Sequence, residues 1–77
     1  MAGNQQNFRS AMSRGNSAAW ELDWQAAVTH YQAALEEFPE NSMALTSLGL
    51  AFYELNDYGS ALDFYKKAAL VAPEDPT

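Results

Sequence analysis

The sequence predicts an all-α protein made of two tandem helix-turn-helix units, and three observations lead there. Ala and Leu far outnumber Val, Ile and Thr, a bias toward helix over strand. Apolar residues recur at i, i+3, i+4 and i+7, the spacing of a buried helical face. The chain also repeats at an offset of 34 residues: Ser13 pairs with Ser47, Gly15 with Gly49, Asp23 with Asp57, Ala27 with Ala61, Tyr31 with Tyr65, Ala34 with Ala68, and Pro39 with Pro73. A period of this size marks stacked helical hairpins.

Residues 1–7 are expected to be a flexible N-terminus. The first helix, from about 8 to 21, is the poorest in large apolar residues, with Ala11, Arg14 and Ala18 where the second unit has Leu45, Leu48 and Phe52. It therefore reads as an end-facing helix. Asp23 can cap a second helix from about 24 to 37, whose stripe is Trp24, Ala27, Val28, Tyr31, Ala34, Leu35 and Phe38. Pro39 closes the first unit, 8–41.

Asn41 and Ser42 are caps for a third helix, from about 43 to 55, with Leu45, Leu48, Gly49, Phe52 and Leu55 on its apolar face. Asp57 caps the fourth, from about 58 to 71, which Pro73 and Pro76 stop. That closes the second unit, 42–75, and leaves 76–77 as a tail. Gly49 stands inside a helix, where glycine costs roughly 1 kcal/mol relative to alanine. With Gly15 at the same place in the preceding unit, it points to two helices approaching where a side chain would hold them apart.

Composition narrows the function. Apolar residues at 48% are too many for a disordered chain of 77. With no cysteine, disulfides, CxxC redox sites and thiolate metal sites are excluded. Ten acids against four bases give a net charge of -6, which disfavours phosphate backbones and anionic membranes, so neither nucleic acid nor membrane is an expected partner. No apolar run is long enough to span a bilayer, and the N-terminus lacks the basic and apolar regions of a signal peptide. The simplest placement is cytoplasmic.

The pattern apolar, Leu, Gly, aromatic, Ala, aromatic, Ala, Pro at these spacings resembles the tetratricopeptide repeat. Leu45, Leu48, Gly49, Phe52, Ala61, Tyr65, Ala68 and Pro73 carry the resemblance in the second unit, and Gly15, Ala27, Tyr31, Ala34 and Pro39 in the first. The resemblance implies a short right-handed α-solenoid with a concave face built from the first helix of each unit. It also implies a scaffold that holds peptides, helices or other repeats there.

Carried over by position, that face maps onto Arg9, Met12, Ser13, Asn16, Ala19 and Trp20, then Met43, Thr46, Ser47, Leu50, Tyr53 and Glu54. Met12, Trp20, Met43, Leu50 and Tyr53 make it greasy, and they fall outside the stripe that meets the partner helix. The expected partner groove is Arg9, Met12, Asn16, Trp20, Met43, Ser47, Leu50 and Tyr53. A subset of the family grips C-terminal carboxylates with lysines, an arginine and asparagines; only Asn16 matches, so that specificity is not expected here. A second expectation, of a different class, is self-association through the last helix. Leu62, Tyr65, Ala69 and Leu70 there have no following unit to cover them, so a second copy or adjoining repeats would.

Nothing in the sequence assembles a catalytic or cofactor site, and neither enzyme activity, cofactor nor metal is expected. His30 is the single histidine, with Ala34 at i+4. The pairs Glu36 with Glu37 and Glu74 with Asp75 read as solvated charge, and Lys66 with Lys67 as an exposed helix face.

Overall fold

Short polar side chains decide where the helices begin. Asn4 Oδ1 accepts the Asn7 N–H at 2.8 Å, Asp23 Oδ1 the Ala26 N–H at 3.2 Å, Asn41 Oδ1 the Ala44 N–H at 3.0 Å, and Asp57 Oδ1 the Ser60 N–H at 3.2 Å. Each satisfies an N–H that has no partner within its helix. A computed structural model describes residues 3 to 71, and within them lie four helices and no strand: α1 (Gln5–Trp20), α2 (Trp24–Glu37), α3 (Ser42–Glu54) and α4 (Tyr58–Val71). Pro73, Pro76, the end of the second unit and the 76–77 tail lie outside the described residues.

The expectation of a flexible segment up to residue 7 is corrected. Helix α1 already runs at Gln5, because Asn4 caps it and its N–H donates to the Glu37 carboxylate at 2.9 Å. Phe8 then meets Phe38 edge to face, with ring centroids 5.3 Å apart, which anchors the first turn to the end of α2.

Both hairpins reverse in the same way. After α1, the Leu22 N–H bonds to the Ala19 carbonyl and the Asp23 N–H to the Ala18 carbonyl; after α3, Asn56 and Asp57 bond likewise to Tyr53 and Phe52. This pair of bonds is the Schellman motif, which requires a left-handed residue. Leu22 (φ 63°) and Asn56 (φ 69°) supply it, and the next residue is already the cap of the following helix. Asn56 suits that conformation; Leu22 does not.

Helix α1 packs on α2, α2 on α3 and α3 on α4, so α1 and α3 run in the same direction. Ala27, Ala34, Ala44, Leu48 and Ala51 are fully buried between them. Four of these five are alanines, so the helices approach closely, and Leu48 is the largest side chain fully enclosed among the described residues. The glycines continue the same logic. The Tyr31 ring lies over Gly15 and the Tyr65 ring over Gly49, each where a Cβ would stand. Phe52 and Phe64 stack between α3 and α4, with centroids 5.6 Å apart.

Candidate functional site

On the face shared by α1 and α3, Phe8, Arg9, Met12, Ser13, Asn16, Ser17, Trp20, Glu21 and Met43 line an open groove of about 640 Å³. The hollow is an open surface depression and not an enclosed cavity. The side chains of α1 reach it at residues 9, 13, 16 and 20, one helical stripe. Met43, Leu50 and Tyr53 project from α3 at the same period and are exposed.

Met12 lines the groove from its floor, as part of the core. It is only 7% exposed and packs into the core with Ala18, Tyr31 and Ala44, so the expectation that it stands apart from the buried stripe is corrected. The reason is the size of its neighbours: with Ala11 and Ala18 on that face of α1, a flexible methionine fills the remaining space. Trp20 is the opposite case, 87% exposed at the end of α1. Arg9, Asn16, Leu50 and Tyr53 are exposed as well, and Ser47 is half-buried.

Asn16 and Ser47 have an internal engagement that the sequence did not reveal. The Tyr31 hydroxyl donates to Asn16 Oδ1 at 2.7 Å, and Ser47 stands beside the same phenol. One tyrosine on α2 is thus tied to α1 under the groove, with Ser47 of α3 beside it. Burial pushes the Tyr31 phenol above its ordinary value of 10.0, and the Ser47 side chain beside it offsets part of that rise. A signal was available: Tyr31 is the polar aromatic of the α2 stripe, and a buried phenol needs a partner. Phe8, Ser17 and Glu21, which also line the groove, were outside the sequence expectation.

The self-association residues fall on α4. Leu62 and Leu70 are exposed, Ala69 also, whereas Tyr65 is half-buried because its ring covers Gly49. Tyr53, Tyr58, Ala61, Leu62 and Tyr65 line a shallow apolar hollow at the α3–α4 end. Among the described residues no group of three His, Cys, Asp or Glu is placed to hold a metal, and no helix is long and apolar enough to cross a membrane.

A family model for the tetratricopeptide repeat matches residues 6–77. The chain belongs to the tetratricopeptide repeat family. Repeats of this family generally mediate protein–protein interaction. The chain is also 44% identical over 39 residues to anaphase-promoting complex subunit 3 of Schizosaccharomyces pombe. That similarity covers 51% of this chain and 6% of the relative, so the tetratricopeptide chain spans a small part of that protein's length.

Proposed function

We propose that this chain is a non-catalytic interaction module that docks a peptide or helix along the α1–α3 face. The observation that carries the reading is the row of large apolar side chains held outside the core there: Trp20, Met43, Leu50 and Tyr53. Exposed aromatic and methionine side chains in a line supply contact area that adapts to a partner. Arg9, Ser13 and Ser17 add polar contacts along the groove. Similarity to a named subunit of a multi-subunit complex fits a role in assembly.

Peptides selected on the immobilised chain from a random displayed library test the reading. Binding is expected to be lost on L50Q/Y53Q while helix content by circular dichroism is unchanged. Selected peptides that bind the double variant as tightly as the parent would sink it.

A second reading is self-association through α4, and one comparison favours it. Ala44, Leu48 and Ala51 of α3 are fully buried against the first hairpin, whereas their counterparts on α1, Ser10, Arg14 and Ser17, are polar and exposed. The α1 side is therefore closed to further stacking, and the α4 side, with Leu62 and Leu70 outward, is open. Two copies then pair α4 against α4 about a two-fold axis and do not chain head to tail. Sedimentation of the parent as a dimer, reverting to a monomer in L62K/L70K, is expected; a folded monomer at tens of micromolar refutes it.

A further inference from the structure

The sequence holds no Lys or Arg between residues 15 and 65. Two carboxylates, Glu21 and Asp23, stand where α1 turns into α2, and two more, Glu54 and Asp57, where α3 turns into α4. Asp23 and Asp57 are engaged in capping, each accepting a backbone N–H, and the Asp57 carboxylate also accepts the Ser60 hydroxyl. Glu21 and Glu54 remain exposed beside the exposed rings of Trp20 and Tyr53. Arg9 is the one cation among the described residues that line the groove and stands about three turns of α1 away from Trp20.

We propose that the groove selects a basic amphipathic segment: its apolar side lies on Met43 and Leu50, and a Lys or Arg sits over Trp20 beside Glu21. This rests on the docking reading above. Charge complementarity decides the occupant. An ammonium or guanidinium over an indole face gains from the ring quadrupole, most strongly with tryptophan, and an adjacent carboxylate adds to it. An acidic segment would meet uncompensated negative charge at the same place.

Short capped helical peptides of Leu and Ala, bearing two arginines, two citrullines or two glutamates at matched positions, test this with the full chain. Fluorescence anisotropy of a dye on the peptide reads the affinity. The arginine peptide is expected to bind about five-fold tighter than its neutral citrulline isostere, with the glutamate peptide weakest. The advantage is expected to shrink with added salt and to fall in E21Q, which changes only an exposed side chain. Equal binding of arginine and citrulline peptides overturns the charge selection while leaving docking intact. Failure of every peptide, neutral ones included, overturns docking and the inference together.

Discussion

Replacing Gly15 by alanine tests how the two hairpins close. A Cβ at Gly15 would lie 2.5 Å from Tyr31 Cε1 and 2.6 Å from Cδ1, so the ring would have to retreat by about 1 Å to restore carbon contact. It has nowhere to go: Tyr31 is 4% exposed and its hydroxyl is held by Asn16. A 2.5 Å approach to an enclosed ring puts the overpacking in the upper part of its usual range, about 2 to 3 kcal/mol, against a gain of about 1 kcal/mol in helix propensity. The net expectation for Gly15→Ala is a loss of about 1 to 2 kcal/mol, or about 5 to 15 °C in Tm. At Gly49 the same Cβ meets Tyr65 at 2.9 Å and the Ala61 carbonyl at 3.3 Å, but that ring is half-buried and Leu50 offers it no acceptor. Gly49→Ala is therefore expected to stay within about 0.5 kcal/mol of the parent. Urea unfolding followed by circular dichroism measures both. In a Tyr31→Leu background, where the ring is absent, Gly15→Ala should become harmless or stabilising. A Gly15→Ala variant as stable as the parent, or a cost that persists without the ring, refutes the close-approach argument.

Further outcomes follow from the turns and the buried phenol. Leu22→Asn gives the first hairpin the residue that the second already uses at its left-handed position, and thermal unfolding should show a gain of about 0.5 to 1 kcal/mol. The raised Tyr31 phenol binds its proton more tightly in the folded chain. Its contribution is thus complete below the ordinary value of 10.0 and is lost as pH rises from there toward the folded value. Stability curves between neutral and strongly alkaline pH should show that fall in the parent, and a smaller one in Tyr31→Phe. At neutral pH Tyr31→Phe should cost about 0.5 to 1.5 kcal/mol for the lost hydrogen bond. Leu48→Ala, emptying the largest enclosed side chain, should cost about 2 to 5 kcal/mol and leave so small a domain largely unfolded by circular dichroism.

The fold class and the repeat were legible because they are written in side-chain size. Glycine under a tyrosine ring, alanine between helices and aspartate at the caps of α2 and α4 recur at one period, and each has a local reason. What stayed hidden depends on which neighbour is small. Met12 has the apolar, flexible character of a groove residue, and only the alanines at 11 and 18 draw it inward. The start of α1 was hidden too, since "GNQQNF" carries no apolar stripe; Asn4 and the Phe8–Phe38 contact organise it from outside the helix. Leu22 gives no hint of a left-handed backbone by its type, although its alignment with Asn56 does.

The two units share a frame and differ where a partner would notice. The position of Asn16 in the first is held by Leu50 in the second, 34 residues on. In the first unit that side chain turns to Tyr31 and accepts its hydrogen bond beneath the groove. In the second, leucine cannot accept a hydrogen bond, so Tyr65 is held by its ring on Gly49 and Leu50 is left as exposed apolar surface. Exchanging the two residues separates these roles. Asn16→Leu should remove the α1–α2 hydrogen bond and lower stability by about 0.5 to 1.5 kcal/mol. Leu50→Asn should leave stability near the parent's while weakening the selected peptides. If Leu50→Asn instead destabilises the fold and spares binding, Leu50 is a packing residue, and the docking face must be drawn around Trp20 and Met43 alone.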